Sequence, residues 1–280
     1  MSARGLLKSM AIIGSAQAVR IVISIVQAKV VAILLGPAGT GFLSVLNNLR
    51  EMGSMAAGLG LGSSGIREIA AARGEEAALS RVRRVLLGGL VLQGIIAMGL
   101  IWLARAPLSR WLLDSTDHAT EVGLVGVAVF LFLVAGSQMA LLQGLRRIGD
   151  LGRVTVYSTA LGSAGGLAAV WAYGQAGLIW LILLPPLASI GIAWRYTSRL
   201  PKPTAAPMTP RQIWLAWRPM VKLGVVFTLG ALATTATLLL VRARITQDLG
   251  LEAAGQFAAA WSVTMIYVGF LLQAMGADYF

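Results

Sequence analysis

Long apolar segments follow one another along almost the whole chain, and short stretches rich in Gly, Pro or charged residues separate them. Each segment is about as long as the ~20-residue apolar helix that crosses a bilayer, and none alternates polar and apolar residues as a barrel strand does. The pattern therefore predicts an all-α polytopic membrane protein. We expect about eight transmembrane helices, at residues 9–35, 41–66, 83–104, 122–144, 154–174, 177–196, 220–246 and 254–280.

The composition agrees with this pattern through its shortage of charge. Hydrophobic residues make up 57% of the chain and charged residues only 12%, whereas soluble domains contain about a quarter charged residues. The net charge of +12 would suit a nucleic acid, but the cations lie mostly in short loops between apolar segments. We therefore expect membrane lipid and no nucleic acid as a partner.

Several kinds of chemistry have no residues to support them. The chain contains no Cys and a single His, so disulfides, thiolate metal sites and cysteine nucleophiles are excluded. No catalytic triad, phosphate-binding loop or pair of catalytic carboxylates occurs in the sequence. We expect no enzyme activity, no cofactor and no metal site.

The loops differ in their content of Lys and Arg. Most loop cations fall in alternate loops, and the intervening loops hold only Arg105 and Arg110. Cytoplasmic loops are the ones enriched in Lys and Arg. The N-terminus and the loop at 197–219 are therefore predicted to be cytoplasmic.

The Pro-rich stretch before residue 220 is the predicted boundary between two units. Residues 1–200 are interpreted as a six-helix N-terminal lobe, 201–219 as a cytoplasmic linker, and 220–280 as the first two helices of an incomplete second lobe. The turn "GPAGTG" at Gly36 is echoed by "GLEAAG" at Gly250. A recurring turn of this kind indicates an internal repeat, as transporters often have.

Five cations lie inside the apolar segments, where a charge at mid-span costs about 2.5–3.5 kcal/mol. In the first segment, Arg20 shares one helix face with Gln17, Ser24 and Gln27. A polar stripe of this kind favours a water-filled cavity over a structural ion pair. The five cations are Arg20, Lys29, Arg50, Arg242 and Arg244.

A second polar stripe follows the turn and contains Asn47, Arg50, Glu51, Ser54 and Gly58. Glu51 is interpreted as a counter-ion for the arginines, with a role in ion coupling as the alternative. We expect the two stripes to bind an anionic substrate group.

The two predicted units carry cations at equivalent depths. Lys29 lies on the helix face opposite Arg20 and within reach of the outer interface. It precedes Gly36 by nearly the same spacing as Arg242 and Arg244 precede Gly250, which favours a cavity shared by both units. The candidate substrate-binding residues are Arg20, Arg50, Lys29, Arg242, Arg244, Gln17, Ser24, Gln27 and Asn47.

Specific motifs then resemble a known family. Arg20, Lys29, "LLGPAGTGF", "AAGLGLGSSGIREIA" and "LLQGLRRIGDLGRV" resemble the Wzx-type polysaccharide flippases, which translocate O-antigen precursors and belong to the MATE-like MOP superfamily. The resemblance implies a MATE-like fold of two six-helix bundles around a central cavity. One departure is that Asn47 and Asn48 stand where a basic residue is expected, which shifts that role to Arg50.

The resemblance also implies a function in lipopolysaccharide and polysaccharide biosynthesis. The expected activity is alternating-access movement of an undecaprenyl-diphosphate-linked oligosaccharide across the bacterial inner membrane. The expected partners are a polysaccharide polymerase and chain-length proteins.

Three other readings stay open. A MATE-like multidrug exporter would carry an intramembrane acid in its first segment, which this chain lacks. An exporter of another lipid-linked precursor would share the basic cavity. A non-transporting subunit of a polysaccharide assembly complex would suit the shortness of the chain.

Overall fold

The computed structural model describes residues 3–200 and 209–278, and within those ranges the regular structure is helical, without strands. The all-α prediction is confirmed. The elements are α1 (Ala3–Gly58), α2 (Leu61–Ala71), α3 (Glu76–Leu103), α4 (Arg105–Leu113), α5 (Ala119–Gly144), α6 (Ile148–Tyr173), a 3-10 turn (Gly174–Ile179), α7 (Trp180–Thr197) and α8 (Pro210–Asp278).

The predicted turn at Gly36 interrupts α1. Gly36 has φ 66° and ψ −167°, a left-handed combination that glycine adopts without steric cost. Pro37 follows it and has no N–H to continue the preceding helix. Residues from both sides of the break line one cavity, so the second half of α1 (37–58) returns beside the first half (3–35).

The predicted echo of this turn is present at Gly250, which interrupts α8 with φ 85° and ψ 171°. The two turns also touch each other. A methyl group added at Gly41 would collide with the backbone of Leu251, and one added at Gly255 would collide with the backbone of Pro37. Gly41 is equivalent to Gly255, and Pro37 is equivalent to Leu251, so each contact is the counterpart of the other, as a local twofold axis requires.

Two stretches differ from the sequence-based expectation. The helix of α8 begins at Pro210, inside the range 201–219 assigned to the linker; residues 201–208 lie outside the described residues. This start has an apolar face, on which Met220 is buried and Trp217 packs against Gly89 of α3. The loop between α3 and α5, which is predicted to be an outer loop, also contains the short helix α4, whose Leu112 is fully buried.

The core is centred on α5, which packs against α1, α2, α3 and α7. Small residues bring other helices close. Gly162 of α6 lies against Pro185, and Gly166 lies against Leu181. Small residues at a four-residue spacing allow helix backbones to approach closely in membranes.

The outer surface suits lipid, since Leu103, Trp171 and Ile33 are each at least 70% exposed. Within the part of the chain that the structure describes, five helical stretches are long and apolar enough to cross a membrane, so the protein has the character of a multi-pass membrane protein. Three of them are divided by the breaks at Gly36, Gly174–Ile179 and Gly250. The count of eight crossings stays a prediction. The five stretches are Gly14–Gly58, Glu76–Leu103, Ala119–Gly144, Ile148–Thr197 and Thr228–Met265.

Candidate functional site

A cavity of about 690 Å³ lies between the two halves of α1 and the two halves of α8. We call it the repeat cavity. Most of its wall is apolar, with a polar minority that gathers on the second half of α1 and around Gly255. Its polar lining residues are Thr40, Ser44, Asn47, Arg242, Gln256 and Ser262.

Arg242 is the single cation among the residues that line the repeat cavity. Its side chain is only 8% exposed. Its Nη1 donates a hydrogen bond to the backbone oxygen of Ser44 at 3.0 Å, whereas its buried Nε has no hydrogen-bond partner among the described residues. A buried guanidinium with an unpaired donor favours an anion as ligand, because charged groups are costly to bury unpaired.

The second half of α1 turns a polar face towards Arg242. Thr40 and Ser44 donate their hydroxyl hydrogens to backbone oxygens one turn earlier, at 2.7 and 2.8 Å. The Asn47 amide nitrogen donates to the oxygen of Leu43 at 3.1 Å. These local bonds use donors and leave acceptor oxygens available. The strong donor facing the cavity is therefore Arg242.

Arg244 lies on the other side of α8. Its Nε is 3.1 Å from a carboxylate oxygen of Asp248, and both side chains are largely exposed. It borders a separate depression beside Trp111. The structure therefore does not bring Arg244 to the repeat cavity with Arg242.

The polar stripe on the second half of α1 is divided among different surroundings. The guanidinium of Arg50 stacks over the ring of Phe132 of α5, 4.9 Å from the ring centre. Glu51 is exposed and forms no ion pair within 4.0 Å with any described residue, yet its charge attracts both Arg50 and Arg242. Ser54 is buried, and its hydroxyl has no hydrogen-bond partner among the described residues.

The stripe on the first half of α1 lies along the border with α6. The hydroxyl of Ser163 donates a hydrogen bond to the side-chain oxygen of Gln27 at 2.7 Å, so Gln27 belongs to the α1–α6 interface. Gln17, Arg20 and Ser24 are exposed on the same half-helix. Lys29 is also exposed, and none of these five residues lines the repeat cavity.

The sequence-based set therefore contributes Asn47 and Arg242 to the cavity, while four lining residues were missed. Thr40 and Ser44 precede Asn47 at helical spacing, and this period is the signal that could have found them. Gln256 follows Gly255 directly, and Ser262 lies farther along the same helix. Burying an uncharged polar side chain costs much less free energy than burying a cation, so the sequence did not mark these residues as candidates.

No protein-family model, no curated protein and no solved structure matches this chain.

Proposed function

We propose that the protein is a flippase for an undecaprenyl-diphosphate-linked oligosaccharide of the bacterial inner membrane, as its resemblance to Wzx-type proteins implies. The observation that carries the proposal is Arg242, buried in the wall of the repeat cavity with Nε unpaired. Intramembrane cations are costly and tend to mark substrate pathways. A diphosphate is an anion that this guanidinium can neutralise and hold by hydrogen bonds.

The shape of the repeat cavity supports a substrate with both polar and apolar parts. Its apolar wall suits a prenyl chain, whereas Arg242, Asn47 and Ser44 offer polar contacts on one side. In this proposal the diphosphate binds near Arg242, the oligosaccharide extends along the polar side, and the prenyl chain passes along the apolar wall into the lipid. Movement between leaflets would follow from rocking of the two units, which are related by a pseudo-twofold axis, against each other.

Glu51 has a proposed part in coupling transport to an ion. It lies on the helix that carries Asn47, and its charge acts on Arg50 and Arg242. A carboxylate that attracts the substrate-binding arginine competes electrostatically with an anionic substrate. Loss of the Glu51 charge, as in Glu51→Gln, would therefore strengthen diphosphate binding.

The test is a matched pair of arginine substitutions in the complete natural chain. Arg242→Ala removes the cavity cation, and Arg244→Ala removes an exposed, ion-paired cation from the same helix. We expect Arg242→Ala to reduce surface O-polysaccharide at least about tenfold, because charged hydrogen bonds contribute about 1.5–3 kcal/mol, and Arg244→Ala to leave it unchanged. The measurement is export in cells that lack their own flippase, normalised to membrane abundance.

Normal export by Arg242→Ala would contradict the basic-cavity mechanism. Arg242→Lys should retain part of the activity, because it keeps the charge and loses the planar donor set. Transport of lipophilic cations by the purified protein in liposomes, with no movement of the diphosphate lipid, would favour the multidrug exporter instead.

A further inference from the structure

A second cavity lies among α2, α3, α5 and α7, away from the repeat cavity. Its volume is about 190 Å³, or about six times the ~30 Å³ that one molecule occupies in liquid water. We call it the inner-end cavity, because it lies near the last turns of α5 and α7. Its lining includes Arg83, Leu87, Ser137, Gln138, Trp194 and Thr197.

Arg83 projects into this cavity without a partner. It is partly buried, and among the described residues none forms a hydrogen bond, ion pair or ring contact with it. A guanidinium carries five N–H donors and a fixed positive charge. The cavity therefore has the capacity to hold an anion.

Gln138 needs a hydrogen-bond donor from the ligand, whereas Arg83 needs an acceptor. Its side-chain oxygen is buried and accepts no hydrogen bond from a described residue. The two hydroxyls in the same cavity cannot supply that donor in this arrangement, because Ser137 donates to the oxygen of Val134 at 2.7 Å and Thr197 donates to that of Trp194 at 3.3 Å. Burying an acceptor without a donor is unfavourable. A ligand that complements the cavity carries both an anionic group and an O–H or N–H donor.

The rim of the cavity identifies the side from which such a ligand comes. Leu87 is 41% exposed and Trp194 is 68% exposed, so apolar side chains frame the opening. Tryptophan is enriched at the membrane–water interface, where its ring meets acyl chains and its N–H meets head groups. The neighbouring loops are the Arg-rich ones, which are those expected on the cytoplasmic side.

We propose that the inner-end cavity binds the head group of a phospholipid from the cytoplasmic leaflet. The phosphate accepts hydrogen bonds from Arg83, and a head-group hydroxyl or ammonium donates to the side-chain oxygen of Gln138. The acyl chains leave past Leu87 and Trp194 into the bilayer. Phosphatidylglycerol meets all of these requirements. Phosphatidylcholine lacks the donor, because choline has no N–H or O–H, and its fixed positive charge is also repelled by Arg83.

Native mass spectrometry of the full chain in detergent tests the site with added dioleoyl phosphatidylglycerol or dioleoyl phosphatidylcholine. We expect the wild type to retain one phosphatidylglycerol about tenfold more tightly than phosphatidylcholine, since one hydrogen bond in a dry site is of this order. Arg83→Gln should weaken both lipids about tenfold or more. Arg81→Gln removes an exposed cation from the same helix and should change neither.

A second variant tests the donor requirement and does not depend on Arg83. Gln138→Leu should retain phosphatidylcholine as well as the wild type does and show a smaller preference for phosphatidylglycerol, the remainder coming from the attraction between Arg83 and the net negative charge of that lipid. Equal retention of both lipids by the wild type, or wild-type binding by both Arg83→Gln and Gln138→Leu, would overturn the proposal. Displacement of the lipid by inorganic phosphate alone would also overturn it, because it would assign the site to a soluble anion.

Discussion

The interface of α8 with α1 and with the bend that follows α1 has two ends, which we name outer and inner after the predicted orientation, and both ends depend on glycine. At the outer end, Gly41 and Gly255 lie against the backbones of Leu251 and Pro37. At the inner end, Gly60 lies against the backbone of Gly224, and the contact is mutual. Between the two ends the helices stay in contact, through the hydrogen bond from Arg242 to the oxygen of Ser44 and the approach of Thr235 to the sulfur of Met55.

The two ends differ in how the sequence produces them. The outer contact is formed by two copies of one turn, so each copy supplies the same pair of surfaces. The inner contact uses a left-handed bend at Gly60, with φ 68°, whereas α8 has its single non-helical residue at Gly250 and no corresponding bend later in its described range. The outer contact is therefore built from both copies of the repeated turn, whereas the inner contact uses a bend that occurs after α1 and has no counterpart in the described range of α8.

Gly60→Ala is expected to have the largest effect on stability. The new methyl group would collide with the Gly224 backbone, and alanine is disfavoured at the positive φ of residue 60. Strain and overpacking together should lower the free energy of unfolding by about 2–4 kcal/mol. Titration with dodecyl sulfate in mixed micelles measures this change. Gly62→Ala is the control, because a methyl group there meets open space, and wild-type stability of Gly60→Ala would contradict the close contact.

Gly255→Ala should have a smaller effect at the outer end. Its methyl group would collide with the backbone of Pro37, but residue 255 has no positive φ to add strain. We expect the free energy of unfolding to fall by about 1–3 kcal/mol in the same titration. Gly230→Ala, on an open face of α8, should not lower the free energy of unfolding and should raise it by up to about 1 kcal/mol through helix propensity. A loss greater than that of Gly60→Ala would reverse the ranking of the two ends.

Thr235→Val should have the smallest effect, because it acts between the two ends. The hydroxyl of Thr235 contacts the sulfur of Met55 at 3.4 Å, and methionine sulfur is a weak acceptor. The near-isosteric change should alter the free energy of unfolding by less than about 1 kcal/mol. A loss as large as that of Gly255→Ala would show that the middle of the interface holds the helices together as strongly as its ends.

The breaks at Gly36 and Gly250 could be predicted because glycine and proline act on the backbone locally. A left-handed residue followed by Pro37 ends a helix whatever its surroundings. The start of α8 at Pro210 was not predicted. The prolines in residues 201–219 indicated a linker, because proline interrupts a helix when it lies in the interior. Pro210 instead lies at the start of a helix, where a missing N–H costs nothing.

The candidate site was predictable in part. Sequence reasoning found Arg242 because a cation in an apolar segment is costly and needs a reason. The same reasoning could not separate Arg242 from Arg244, since the free-energy cost of placing a cation in an apolar segment is the same for both when only the sequence is known. It also placed Gln27 in a cavity stripe, whereas Gln27 accepts a hydrogen bond from Ser163 of α6. Helical periodicity shows which face of the helix a residue lies on, but it does not show which other helix packs against that face.

The sequence by itself determined the all-α membrane character, the positions of the glycine turns and the residues whose burial demands a partner, because hydrophobic length and backbone chemistry are local properties. Only the tertiary structure decided that Arg242 enters the repeat cavity while Arg244 pairs with Asp248, and that Arg83 and Gln138 share the inner-end cavity. Cavities arise where helices distant in sequence fail to fill the space between them, and packing rather than periodicity fixes that space.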